Sequence, residues 1–205
     1  MVPITIACVY KTGGDFTAEY VTRLRDGVAE NVKSTPYRFV CLTDDPVPGV
    51  DCEPLVHGNR GWWSKLELFR FTGPTVYFDL DTVIQGSIDS VVSYPHRFTA
   101  LTDFYRGGFA SGFMAWNGDF SYLNRKMTRL DTAEYERHHN KWGDQGYVRD
   151  RLHTIPALTG DLFPGQFVSY KQQMKLNGFI PQSASVLCFH GRPRPATLNW
   201  SYPIR

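Results

Sequence analysis

Charge of either sign is scarce in surplus: 22 lysines and arginines face 20 aspartates and glutamates, leaving a formal net charge of +2. That balance offers no bulk electrostatic basis for binding nucleic acid. Cysteine is also sparse. Cys8, Cys41, Cys52 and Cys188 show no Cys-x-x-Cys or other metal-binding spacing, and three of them lie in apolar, strand-like runs. Free, buried thiols are the default there, which reads as a reduced protein. No apolar run approaches the roughly 18 residues that cross a bilayer. The N-terminus has no basic stretch leading into a long apolar one, so no secretory signal is evident and a cytoplasmic location is expected. A Gly-Lys-Ser/Thr ending is missing, which excludes a phosphate-cradling P-loop. Linkers, internal repeats and low-complexity tracts are missing too, so residues 1–205 read as a single domain large enough to bury its own core.

What is present is a globular composition, 42% hydrophobic and 20% charged, with enough aromatic residues (15%) for either a pocket or an ordinary core. The first half alternates. Residues 4–10 read as a buried strand, followed by the loop Lys11-Thr12-Gly13-Gly14-Asp15. Val21, Leu24, Val28 and Val32 recur at helical spacing and predict a helix over about residues 17–32. Tyr37 to Leu42 reads as a second strand, ended by Thr43-Asp44-Asp45-Pro46. After a Pro/Gly-rich connection, Trp62 to Phe71 predicts a helix with Trp62, Leu66 and Phe69 in the core. A third strand, Thr75 to Asp81, follows. This order implies an α/β protein with a mostly parallel sheet flanked by helices. Further on, 98–101, 113–116 and 185–189 read as strands, and 120–152 as mostly helical with a break at Trp142-Gly143.

The chemistry concentrates at strand ends. Asp79 and Asp81 are spaced i, i+2, which on an extended strand places both carboxylates on one side. Two such groups repel unless a cation or proton lies between them. Hard divalent ions, Mn²⁺ or Mg²⁺, favour these oxygens and usually carry substrate phosphates on their free positions. The plainer alternative is a pair of solvated acids flanking Leu80. Lys11 and His190 also follow predicted strands, and ligands of open parallel sheets bind beyond the carboxyl ends.

Five segments, Trp63-Ser64-Lys65-Leu66-Glu67-Leu68-Phe69, Val76-Tyr77-Phe78-Asp79-Leu80-Asp81-Thr82, Ala110-Ser111-Gly112-Phe113-Met114, Gly143-Asp144-Gln145 and Phe189-His190-Gly191-Arg192-Pro193-Arg194-Pro195, occur in an informative order. Together they resemble glycosyltransferases of the GT-A fold, in particular the glycogenin-like group that includes lipopolysaccharide galactosyltransferases. The resemblance covers about residues 4–195. It implies transfer of a hexose from a nucleoside diphosphate, a UDP-sugar, with retention at the anomeric carbon. Asp79 and Asp81 match the family's Asp-x-Asp motif, and His190 its third metal ligand, for Mn²⁺ or Mg²⁺. Lys65 matches a basic residue aimed at the donor sugar, and Asp144 and Gln145 the acidic-amide segment at the reacting centre.

The loop after the first strand, with Tyr10 and Lys11, is where this fold receives the nucleobase. Gly191, Arg192 and Arg194 would line the diphosphate. Asp103, Ser111 and Gly112 are candidates for sugar or acceptor contacts. Two departures stand out: Ala110 replaces a usual Asn, and Ala196 follows Arg194-Pro195 where Trp is usual.

Other readings stay open. Phe78-Asp79-Leu80-Asp81-Thr82-Val83 also looks like the first motif of haloacid-dehalogenase phosphatases, with Asp79 as nucleophile. A protein that binds nucleotide sugars without turning them over would keep the same residues. The acceptor is open among a glycan, a lipid-linked sugar, a protein and a modified nucleic-acid base. Arg125, Lys126, Arg129, Arg137 and Lys141 would suit a polyanion, but Asp131, Glu134 and Glu136 interleave with them, as on a solvated helix face.

Overall fold

The computed structural model describes residues 3–125, 129–139 and 143–198. Among these residues ten strands follow in order: β1 (Ile4–Tyr10), β2 (Tyr37–Thr43), β3 (Asp51–Pro54), β4 (Thr75–Phe78), β5 (Thr82–Ile84), β6 (Phe98–Thr102), β7 (Phe109–Trp116), β8 (Ala157–Leu158), β9 (Phe167–Ser169) and β10 (Val186–Cys188). Seven of them form one sheet in the order β3-β2-β1-β4-β7-β6-β8, and β5-β10-β9 form a second, smaller one. Pairings from β3 through β4 are parallel; β7 runs antiparallel to both β4 and β6. The sheet is therefore mostly parallel, as the alternating elements predicted, with one reversed strand beside β4.

Among the described residues six α-helices accompany the strands: α1 (Ala18–Asn31), α2 (Asp89–Val92), α3 (Arg129–His139), α4 (Gly143–Arg151), α5 (Thr159–Leu162) and α6 (Tyr170–Leu176). Alternation along β1 divides the core. Ile6, Cys8 and Tyr10 face the layer that holds Tyr20, Val21, Leu24 and Val28 of α1, whereas Ala7 packs with Leu66, Phe69 and Tyr77. Each buried aliphatic side chain of α1 contributes roughly 1.5–3 kcal/mol relative to exposure. All four cysteines are free, and Cys8, Cys41 and Cys188 are buried. No helix of the described residues is long and apolar enough to cross a membrane.

The structure corrects several expectations. β3 lies inside the stretch read as a Pro/Gly-rich connection; at four residues it is too short to show a period. The segment Gly61–Arg70 is a helix of the 3₁₀ type, with three residues per turn. This winding buries every residue from Trp63 to Phe69. Trp62, expected in the core, is 61% exposed instead, and Trp63 takes the buried place. The strand carrying the aspartate pair ends at Phe78, and Asp79-Leu80-Asp81 form a turn closed by the Thr82 amide donating to the Asp79 carbonyl at 3.0 Å. The two carboxylates are thus presented by a turn between two sheets, not by strand alternation. The break expected at Trp142 falls outside the described residues; Gly143 opens α4 with φ +48°.

Glu67 shows how the 3₁₀ helix holds the preceding loop. Its carboxylate is fully buried and accepts from the backbone amides of Val56 at 2.8 Å and His57 at 2.9 Å. A buried carboxylate is tolerable only with such partners. Here they fasten the loop that follows β3 onto the helix carrying Lys65.

Candidate active site

At the carboxyl end of β4 lies a cavity of about 350 Å³ whose lining includes Lys65, Asp79, Asp81, Asp144, Gln145 and His190. Four of the five segments from the sequence thereby meet the fifth in space. The 3₁₀ helix supplies Lys65, the β4–β5 turn Asp79 and Asp81, β7 Ser111 and Gly112, α4 Asp144 and Gln145, and the loop after β10 His190.

Lys65 is the centre of the arrangement. Its ammonium lies 2.9 Å from Asp79 Oδ1, 3.1 Å from Asp144 Oδ2, and 3.3 and 3.4 Å from the hydroxyl and carbonyl oxygens of Ser111. Burial opposes its charge, but Asp144 and Asp79 outweigh burial and raise its pKa. Asp144 in turn accepts from the Ser111 hydroxyl at 2.8 Å. Burial pushes the Asp144 pKa up while Lys65 pulls it down, and the net direction is upward. Gln145 Oε1 accepts from the Ser111 amide at 3.4 Å. Asp79 also accepts from the phenol of Tyr77, a partner that sequence reading missed because Tyr77 looked like ordinary strand core. Gly112 backs this carboxylate closely: a Cβ at Gly112 would stand 3.4 Å from Asp79 Oδ2.

Asp81 is nearly buried, and its pKa rises to about 7, first through desolvation and then through the charge on Asp79, against the pull of Arg194 and Lys65. Its carboxylate pairs with the Arg194 guanidinium, which also reaches Asp15 at 3.4 Å and lies 4.8 Å over the ring of Phe16. Arg192 approaches the same Asp15 at 3.6 Å. The loop after β1 and the loop after β10 are thus joined through Asp15, a residue without a role in the sequence reading. His190 shares a 2.6 Å hydrogen bond with Ser169 and stacks on Phe104 with ring centres 5.6 Å apart. Desolvation and Lys171 lower its pKa, against a weaker upward pull from Asp103. This direction favours the neutral imidazole, the form that ligates a metal.

The donor set fits a hard divalent ion in its chemistry. Two neighbouring carboxylates, one of them with its pKa raised by burial and then by the charge of the other, gain from a cation placed between them. Each group is otherwise engaged, however: Asp79 by Lys65 and Tyr77, Asp81 by Arg194, His190 by Ser169. Among the described residues, no three His, Cys, Asp or Glu side chains are gathered closely enough to hold an ion.

Other expected site residues lie elsewhere or do something else. Tyr10 is packed in the core at 8% exposure. Lys11 pairs with Asp44, which also accepts from the amide and hydroxyl of Thr12 at 2.9 and 2.8 Å. Burial opposes charge on Asp44, and these donors outweigh it, lowering its pKa to about 2. Arg194 pairs with Asp81 and Arg192 with Asp15, and neither of them nor Gly191 lines the cavity. Asp103 lines it, but one of its oxygens is occupied by the amides of Tyr105 (2.8 Å) and Arg106 (2.9 Å). Of the basic series, Lys126 and Lys141 lie outside the described residues.

No protein-family model matches the chain, and no curated protein matches it in sequence. Solved structures do. A galactosyltransferase, LgtC, solved with donor and acceptor sugar analogues, is 13% identical with a TM-score of 0.66, over 94% of this chain and 89% of that one. The glycosyltransferase GlyE of Streptococcus pneumoniae TIGR4 is 13% identical with a TM-score of 0.62, over 94% of this chain but 56% of its own. The bifunctional glycosyltransferase WbbM gives 13% and 0.58, with 94% and 46% covered. The chain therefore has a GT-A-type glycosyltransferase fold, and it spans about half the length of two of these three neighbours.

Proposed function

We propose that the protein is a metal-dependent glycosyltransferase that moves a hexose from a nucleoside diphosphate, in the first instance UDP, to a hydroxyl acceptor. The observation that carries this reading is the pairing of Lys65 with Asp79 and Asp144 in a cavity that Asp81 also lines, in a GT-A fold. Asp79, Asp81 and His190 would hold Mn²⁺ or Mg²⁺, whose charge stabilises the leaving diphosphate. Arg194 and Arg192, once free of Asp81 and Asp15, add positive charge at the same oxygens. The anomeric C–O bond breaks with its electron pair leaving on the diphosphate oxygen, and the acceptor oxygen forms the new bond while passing its proton to that leaving oxygen. Asp144 and Gln145, which line the cavity, would face the developing positive charge on the sugar. Lys65 holds both Asp79 and Asp144 in place through the step. Retention of anomeric configuration belongs to this proposal as the family resemblance implies it.

The phosphatase and the silent-binder readings are not favoured by the fold's neighbours, and the aspartate pair follows the fourth strand in the chain, not the first. The test is release of nucleoside diphosphate from a panel of UDP-hexoses in Mn²⁺. Turnover with one donor, lost in Asp81→Asn, supports the reading. Folded protein that releases nothing from any donor, but hydrolyses simple phosphate esters, overturns it.

A further inference from the structure

Tyr77 lies on β4, in register with Ala7 of β1 and Met114 of β7, and belongs to the buried cluster that holds Leu66, Phe69 and Trp116. A position in the middle of a sheet asks for an apolar ring, and its neighbour Phe78 supplies one on the opposite face. A phenol at such a place is costly unless its hydroxyl finds an acceptor, because a hydroxyl buried without one forfeits its hydration.

The acceptor it finds is one particular oxygen. The Tyr77 hydroxyl donates to Asp79 Oδ1, and the Lys65 ammonium meets the same oxygen at 2.9 Å while standing 5.4 Å over the phenol ring. Asp79 Oδ2 takes part in neither contact. Gly112 lies beside that second oxygen, which would be 3.4 Å from a Cβ at this position, and both residues line the cavity. Glycine therefore keeps one flank of the carboxylate clear, while two donors occupy the other oxygen.

The two donors differ in what they fix. Asp79 stands on a turn and its side chain is 32% exposed, so its own packing leaves the carboxylate free to rotate. Lys65 does not settle the rotation, because its ammonium is shared with Asp144 at 3.1 Å and with Ser111, on a flexible stem whose three donors turn freely. A phenol packed on a central strand has its hydroxyl in one place. Tyr77 thus decides which oxygen of Asp79 turns inward.

We propose, building on the metal-dependent reading, that Tyr77 is a positioning residue: its hydroxyl anchors Asp79 Oδ1 so that Oδ2 is the oxygen offered to the divalent cation. The test is titration of Mn²⁺ into the full chain without nucleotide, with free ion read by electron paramagnetic resonance and the metal-free melting midpoint measured beside it. Tyr77→Phe removes only the hydroxyl and should weaken Mn²⁺ binding by about tenfold, the usual effect of losing a hydrogen bond behind a metal ligand. Phe98→Leu is the control, since Phe98 stacks on Phe69 and Trp116 in the same cluster and lines no part of the cavity. It should lower the midpoint and keep the parent's Mn²⁺ affinity. A Tyr77→Phe chain that binds Mn²⁺ like the parent overturns the proposal, and so does an equal loss of affinity in Phe98→Leu. A Tyr77→Phe chain that does not fold makes the hydroxyl purely structural and overturns it too. Parent protein that binds no Mn²⁺ at millimolar ion sinks the metal reading and this role together, whereas a parent that binds and a Tyr77→Phe chain that matches it sink the positioning role alone.

Discussion

Replacing Lys65 by Met keeps much of its apolar stem while removing one positive charge from a buried set of acids. In the intact protein the ammonium stands within 2.9–3.4 Å of four oxygens belonging to Asp79, Asp144 and Ser111. The side chains of Lys65 and Asp144 are each 9% exposed, but Asp79 is 32% exposed. Removing one partner of a buried pair costs about 3–5 kcal/mol. Solvent at Asp79 screens part of that, so the lower end, about 3 kcal/mol, is expected. For a chain of 205 residues, each kcal/mol moves the melting midpoint by about 2–4 °C, which gives a fall of about 6–12 °C. The assay is thermal and urea unfolding of Lys65→Met, Asp144→Asn and the double variant. Neutralising Asp144 should restore part of what Lys65→Met loses, with a coupling energy of about 1–3 kcal/mol. A Lys65→Met midpoint within about 1 °C of the parent, or strict additivity in the cycle, would refute the claim that this lysine compensates buried acids.

Glu67→Ala strips two backbone amides of their buried acceptor and should destabilise by about 2–4 kcal/mol, measured as a drop in urea midpoint; a change below about 0.5 kcal/mol contradicts the clamp. His96 donates from Nε2 to the Val91 carbonyl at 2.8 Å and meets the Thr99 hydroxyl through Nδ1 at 2.7 Å. Burial lowers its pKa, with the Val91 contact opposing. The unfolded chain therefore takes up a proton near pH 6.5 that the folded one refuses. The stability His96 contributes is full above that pH and is lost as pH falls through the window down to the depressed folded value. His96→Asn should show a shallower acid limb than the parent between pH 7.5 and pH 5; parallel limbs contradict it. Gly143→Ala must place a Cβ 2.5 Å from the Trp62 indole at φ +48°. It should cost about 1–3 kcal/mol and change the environment of Trp62, seen as a shift in tryptophan emission, whereas an unchanged emission maximum and stability would contradict the packing.

The β-α-β order of the first half was legible because its periods are long and clean: Val21, Leu24 and Val28 repeat at helical spacing and are all buried. The site segments were legible through their likeness to a family, and the fold brings Lys65, Asp79, Asp81, Asp144 and His190 to one cavity. What failed to show has physical reasons. β3 is too short for alternation to register. A 3₁₀ helix rotates its side chains differently from an α-helix, which exchanged Trp62 for Trp63 as the buried ring. Asp15, Asp44 and Ser169 act through pairings far along the chain, with Arg194, Lys11 and His190, and no local pattern announces them. Tyr10 closes β1 and packs in the core, and Lys11 pairs with Asp44, neither of which the local sequence pattern announces.

The most direct test of the central claim is calorimetric titration of UDP, with GDP, CDP and ADP in parallel, into the protein in Mn²⁺ and again in EDTA. Saturable binding of one nucleotide in Mn²⁺, abolished by EDTA and weakened at least about tenfold in Asp81→Asn, is the predicted result. No binding of any of the four at millimolar concentration, or binding indifferent to both EDTA and Asp81→Asn, would contradict the account.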